Sequence, residues 1–273
     1  MGARVRRGRR RARALRLRGG AVCLACVLAS FWLGRSLSPG GVLSGVDAVA
    51  LFRAIVPGYG LRRPHARVRS EWDERASPDY YRVVGLALVD VELADGEVSY
   101  AELDDLGRSG QAAARVSWDM VREGTSRPRG DMQALSPSGW GHNEKVDIPL
   151  ARGKAYHGYF WNRSHLVAKS LGGAEVVQNM VCGTRMQNVG SNDETGGMAF
   201  CETLVRDWLE AHQEGSVTYV VTPLYEGEEL VPRSVIVDLM SSDGSLDLEV
   251  EVYNAARGYL IDYATGEFER VGE

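Results

Sequence analysis

From residue 80 onward, short apolar runs alternate with Gly- and Pro-bearing breaks, a pattern that predicts several strands and few helices. Residues 83–93 are apolar and β-branched, with Gly96 as the following turn. Residues 103–116 are alanine-rich with helical spacing, and 117–123 extend that helix. Residues 125–140 carry Pro128, Gly130, Pro137 and Gly139, which predicts a long functional loop. A strand is predicted over 155–161, and Gly172-Gly173 breaks the chain after Leu171. Over 198–213, Met198, Leu204, Val205, Trp208 and Leu209 share one face of an amphipathic helix. Residues 217–221, 234–240 and 246–253 predict further strands, the last two joined by a Ser-Asp-Gly turn.

The first 78 residues read differently. Nine arginines fall within 1–18, an apolar run fills 21–33, and no acid precedes Asp47. This is the layout of an export signal or short membrane anchor over 1–34. The run is shorter than the roughly 20 apolar residues of a full span, and arginine density places its N-terminal side in the cytoplasm. Gly, Ser, Pro and Arg dominate 35–78, with one amphipathic stretch at 46–56, so this segment reads as a linker or stalk. The globular domain is expected over 79–273.

Charge sharpens the picture. The chain carries 32 basic and 36 acidic residues, and ten of the arginines lie within 1–35. The remainder is therefore acidic, which argues against a general polyanion binder. Residues 108–185 run the other way, with 11 basic and 6 acidic residues. A basic zone on an acidic body suits a local cleft for nucleic acid.

That zone contains Trp161-Asn-Arg-Ser-His165. In an extended segment residues i and i+2 point the same way, so Arg163 and His165 face one cleft. Phosphodiester hydrolysis needs an activated water, charge stabilisation and help for the leaving oxygen. A histidine near neutral pKa serves as general base, and an arginine neutralises developing charge. A hard divalent ion prefers oxygen ligands and keeps several waters, so one asparagine carbonyl suffices to hold it. Asn179 and Asn188 lie downstream. Glu202 and Arg206, four apart, share a face of the predicted helix. Asn188 and Glu202 are about 21 Å apart if one helix joins them. Gly190, Gly196 and Gly197 must therefore break the helix for Glu202 to join the site.

The chain resembles the DNA/RNA non-specific endonucleases with a ββα-metal core, in particular their DNA-entry nuclease branch in Gram-positive bacteria. The resemblance is carried by 100–110 (Tyr-Ala-Glu-Leu-Asp-Asp-Leu-Gly-Arg-Ser-Gly), 136–140 (Ser-Pro-Ser-Gly-Trp), 161–166, Gln178-Asn179, 183–188 (Gly-Thr-Arg-Met-Gln-Asn) and Gly197-Met198 leading to Glu202. Later segments at 220–225, 230–233, 241–245 and 261–266 extend it, so it covers about residues 80–268. It implies an α+β fold with a central antiparallel sheet, a ββα-metal catalytic core and flanking helices. It implies a Mg²⁺-dependent endonuclease, with Mn²⁺ able to substitute, that grips DNA or RNA through the phosphate backbone. No obligate protein partner is implied. His165 matches the general base and Arg163 the arginine of the family's Asp-Arg-Gly-His motif. Asn188 matches the metal-binding asparagine, and Asn179 a nearby supporting one. Glu202 matches the acid that holds metal-bound water, and Arg206 an arginine facing the phosphate. Asn162 and Ser164 depart from the motif, standing where the family has Asp and Gly. They motivate an alternative: a catalytically weakened nucleic-acid-binding protein at the cell surface. The expected location is outside the cell or on the outer face of its membrane, attached through the N-terminal segment if that segment stays uncleaved.

Cys182 and Cys201 are the cysteines of the exported part, and an exported compartment permits a disulfide between them. Paired and free thiols both fit the sequence. A zinc site built from His157, His165, Cys182 and Cys201 is disfavoured by loose spacing and the lack of a Cys-x-x-Cys pair.

Overall fold

The structure, a computed structural model, describes residues 71–128, 130, 132–150, 154–190 and 195–271. The expected export segment over 1–34, the amphipathic stretch at 46–56 and most of the connector lie outside these residues. Among the described residues no helix is long and apolar enough to cross a membrane.

Alternating residues build the central sheet. Its six antiparallel strands are β1 (Tyr81–Gly85), β2 (Val98–Tyr100), β3 (Ala112–Ser117), β8 (Ser216–Leu224), β9 (Ser234–Ser241) and β10 (Asp247–Tyr253), in the order β1-β10-β9-β8-β3-β2. Cross-strand register places Ala112, Val221, Val237 and Val250 on one face. Helix α3 (Gly197–Ala211) packs on this sheet and buries Leu204, Val205, Trp208 and Leu209. The other face carries Asp238 opposite Glu249, with Glu251 two residues along. These carboxylates are fully buried. Arg82 pairs with Glu251 at 2.9 Å, and the Leu88 N–H donates to Asp238 at 2.7 Å.

Three hairpins stand apart from this sheet: β4 (Lys145–Pro149) with β5 (Ala155–Tyr159), β6 (Trp161–His165) with β7 (Met180–Thr184), and β11 (Tyr259–Asp262) with β12 (Glu267–Arg270). Aromatic packing joins them. Phe160 stacks on Phe268 with centroids 3.9 Å apart, and Trp161 Nε1 donates to the Gly266 carbonyl at 2.9 Å. Helix α2 (Arg185–Val189) follows β7 directly, capped by the Thr184 hydroxyl, which accepts from the Gln187 N–H. The β6–β7–α2 unit is the expected ββα core within an α+β fold.

The structure corrects two expectations. Residues 103–116 are not a helix: Ala112, Ala113 and Ala114 are buried in β3, between β2 and β8. Their small side chains suit helix and crowded strand equally, and tertiary pairing overrides intrinsic propensity. The helix begins later, as α1 (Trp118–Ser126), with the Ser117 side chain as its N-cap. The strand expected over 83–93 ends at Gly85, after a bulge between Val83 and Gly85.

The helix break does occur. α2 ends at Val189, and α3 starts at Gly197. Gly190 and Gly197 have φ of 64° and 54°, in the left-handed region that favours glycine. A Cβ on Gly190 would stand 2.5 Å from the Gly196 Cα, and one on Gly197 would stand 2.2 Å from the Gln187 carbonyl oxygen. The two helices thus meet backbone to backbone. Gly197→Ala should combine a left-handed penalty with this collision and lower stability by about 2 kcal/mol or more. Chemical denaturation of the parent and variant reads the difference.

Candidate active site

β6 alternates its faces in register with β7: Arg163 stands opposite Cys182, and His165 opposite Met180. Arg163 and His165 therefore share a face, while Asn162 and Ser164 lie on the reverse. His165 is half-buried at the end of the strand, and its Nε2 has almost no exposed surface. The Arg163 guanidinium lies 4.1 Å over the Trp140 ring. Its Nε donates to the Leu135 carbonyl and its Nη2 to the Gln133 carbonyl. Stacking and forked donation of this kind suit arginine rather than lysine. In this arrangement Arg163 pins the loop anticipated over 125–140.

Asn179 is fully buried. Its Oδ1 accepts from the Val167 N–H at 2.8 Å, while Nδ2 donates to the carbonyls of Val167 at 2.9 Å and Ala174 at 2.8 Å. The Asn179 carbonyl also accepts from the Leu166 N–H. One side chain thus clamps the turn that leaves His165. Such a network is worth most when fully satisfied, as it is here.

Asn188 is half-buried on α2, and among the described residues no donor hydrogen-bonds its side-chain oxygen. The glycine junction brings the start of α3 against the end of α2, and Glu202 then lies only about 7.5 Å along α3 from Gly197. Glu202 pairs with Arg206 at 3.7 Å, as their spacing predicts. Burial raises the Glu202 carboxyl above its ordinary range, against the opposing pull of Arg206. Arg206 Nη1 donates to Ser170 Oγ at 3.3 Å, and Nη2 to Thr203 Oγ1 at 2.8 Å. Ser170 sits in the short 3₁₀ turn Lys169–Leu171 that follows the His165 strand. The Glu202–Arg206 pair is therefore tied to the motif segment.

Sequence reasoning missed Tyr219. This fully buried β8 residue has a hydroxyl with no hydrogen-bond partner among the described residues, and its charged neighbours are Glu202 and Arg206. Strand alternation marks such a residue only as core-facing, so no sequence signal singled it out. Cys182 and Cys201 are both free and buried. Desolvation pushes both thiols well up, with Arg163 opposing the shift at Cys182.

The chain is similar to known proteins in sequence and fold. A family model for DNA/RNA non-specific endonuclease matches residues 90–243. A protein named deoxyribonuclease from Streptococcus dysgalactiae subsp. equisimilis is 31% identical over 242 residues, covering 76% of this chain and 73% of that protein. The solved structure of Sda1 nuclease with bound zinc ion is 32% identical with a TM-score of 0.68, covering 71% of this chain and 98% of that one. The structure of NucA from Streptococcus agalactiae with magnesium bound, 24% identical, shares the fold with a TM-score of 0.55, covering 72% of this chain and 93% of that one.

The free thiols generate a direct test. A buried thiol with a raised pKa holds little thiolate at pH 8, whereas an unfolded one near its ordinary value of about 8.5 reacts readily. Cys182 and Cys201 should resist iodoacetamide in native protein and alkylate fully in guanidinium, as read by peptide mass spectrometry.

Proposed function

The chain belongs to the DNA/RNA non-specific endonuclease family, and from that premise we propose an exported, Mg²⁺-dependent enzyme that cuts DNA, and RNA, without base readout. That it is a nuclease, of a metal-dependent family acting on nucleic acid, follows from the family itself. The finer reading rests chiefly on the β6–β7–α2 unit, with His165 at the end of its first strand and Asn188 on its helix.

His165 is the general base that takes the proton of the attacking water. Asn179 holds the turn beyond it and so fixes the strand end that carries it. Asn188 offers, as the metal ligand, an amide oxygen that no donor among the described residues engages, and Glu202, paired with Arg206, offers a carboxylate to hold metal-bound water. This all-oxygen donor set fits a hard ion such as Mg²⁺, with Mn²⁺ as a substitute. When bound, such an ion supplies Lewis-acid stabilisation of the phosphate and leaving oxygens. Arg206, anchored on Ser170, presents positive charge beside the motif turn. Arg163 orders the loop at 133–140 through two carbonyls and Trp140, which makes its contribution one of positioning as well as charge.

Asn162 and Ser164 point away from the face that carries His165. Their departure from the family motif therefore leaves the base's own face intact, which favours an active enzyme over a weakened binder. The arginine-rich and apolar segments over 1–34 support export, with 35–78 as the tether to the domain.

The purified protein should nick and degrade supercoiled plasmid with Mg²⁺, stop with EDTA and recover when Mg²⁺ is restored. His165→Ala should lower kcat by roughly 10²–10⁴-fold with an unchanged melting temperature. Asn188→Ala should raise the Mg²⁺ concentration needed for half-maximal rate. Full activity in His165→Ala would remove the assignment.

A further inference from the structure

Strand β1 begins just after a backbone outlier. Among the described residues, Tyr80 is the one non-glycine residue with a positive φ, at 63°. A bulky aromatic residue in the left-handed region is strained, and such strain persists only where the surroundings compensate it. Tyr80 has that compensation. It is 2% exposed, its ring stacks on Trp72 with centroids 4.7 Å apart, and its hydroxyl accepts from the Arg257 N–H at 3.1 Å. Its own N–H donates to the Ser77 carbonyl at 3.1 Å, and its carbonyl accepts from the Tyr253 N–H at 2.8 Å.

Three successive residues at this corner serve different elements. The Asp79 carbonyl accepts from the Gly197 N–H at 2.9 Å. Gly197 opens α3, and the preceding Gly196 supplies no side-chain cap, so this external carbonyl satisfies a donor that the helix itself leaves over. The same oxygen is seated among the junction glycines: a Cβ on Gly190 would stand 2.8 Å from it, and one on Gly196 2.9 Å. The Tyr80 ring belongs to the apolar cluster that holds Trp161 and Cys182 of the motif hairpin and Met186 of α2. Tyr81 stacks on Phe200 of α3 with centroids 4.0 Å apart. The two tyrosines thus grip the ββα unit and α3 respectively, and the carbonyl just before them meets the α2–α3 junction. The peptide unit between Asp79 and Tyr80 is planar, so the φ of Tyr80 sets how the Asp79 oxygen is turned relative to the buried ring.

We propose that Tyr80 is a positioning residue of the candidate site: its left-handed backbone aims the Asp79 carbonyl into the glycine junction and so fixes the spacing between α2, which carries Asn188, and α3, which carries Glu202. A negative φ with the ring in place would turn the 79–80 peptide and withdraw the oxygen from Gly197. Ring burial and the Trp72 stack offset the backbone strain, and the glycines leave room for the oxygen. The metal roles of Asn188 and Glu202 rest on the functional reading above, whereas the corner itself does not.

Two substitutions in the full chain separate backbone from ring. Tyr80→Gly and Tyr80→Ala both delete the ring, but only glycine adopts the left-handed region freely. Amide exchange at Gly197, measured against β9 amides that report global opening, reads the junction without reference to nuclease activity. On that scale, exchange should stay within about threefold of the parent in Tyr80→Gly and rise about tenfold or more in Tyr80→Ala. Equal exchange in the two variants, or parent-like exchange in Tyr80→Ala, would overturn the proposal. If Tyr80→Ala does not fold, Trp72→Ala takes its place, removing the stacking partner while keeping Tyr80. Faster relative exchange at Gly197 is expected there, and a parent-like value would be equally fatal. Plasmid cleavage reads the link to the metal. The Mg²⁺ concentration for half-maximal rate should rise about tenfold in the variant that opens Gly197, with plasmid KM within about twofold of the parent. An unchanged Mg²⁺ requirement in that variant would refute the coupling to the site. A parent protein without nuclease activity would instead sink the functional reading, while Gly197 exchange still decides the corner.

Discussion

Asn254 joins the motif hairpin to the central sheet. It is fully buried just beyond β10. Its Oδ1 accepts from the Thr184 N–H at 2.8 Å, and its Nδ2 donates to the carbonyls of Cys182 at 3.0 Å and Pro232 at 2.8 Å. The β6–β7 hairpin shares no strand pairing with the six-stranded sheet. Its orientation therefore depends on such side-chain bridges and on packing. Thr184 adds a second bridge, donating from Oγ1 to the Ala255 carbonyl at 3.0 Å while the same oxygen caps α2. Losing one partner here would strand several backbone groups in the interior, which costs far more than a surface hydrogen bond contributes.

The remaining anchors follow the same rule. Asn179 clamps the turn after His165, Arg163 holds the loop before β4, and Arg206 reaches Ser170 from α3. In each case a long or forked polar side chain satisfies backbone or hydroxyl groups that regular secondary structure leaves over. The consequence is that the segments around the candidate site, though drawn from separate elements, are tied to one another by side-chain bridges. Catalysis by a positioned base and metal rewards such preorganisation, because small displacements of reacting groups are costly.

The apolar spacing over 198–213 placed α3 well, because an amphipathic stripe against a sheet is a local pattern with one outcome. The strands near 217–221, 234–240 and 246–253 were likewise legible from β-branched runs. The alanines at 112–114 misled, since they fit a helix by propensity and a crowded central strand by size. The strand expected over 155–161 is present as β5, which ends at Tyr159, but its partner β4 and the β11–β12 hairpin went unread because their cohesion lies in Phe160, Phe268 and Tyr259, which meet only when distant segments pack. In the site, the two-residue spacing of Arg163 and His165 correctly implied a shared face, but not that Arg163 would be committed to Trp140 and two loop carbonyls.

By itself, then, the sequence determined the family, the motif strand, the amphipathic helix and the need for a break between Asn188 and Glu202. These features are written in residue type and short-range periodicity, which act within a few positions of each other. Only the tertiary structure decided that the break is a backbone contact between Gly190 and Gly196, and that Asn254 carries the hairpin. Those outcomes depend on which distant groups share a dehydrated space, where the need to satisfy every polar atom selects one arrangement from many that the local sequence allows.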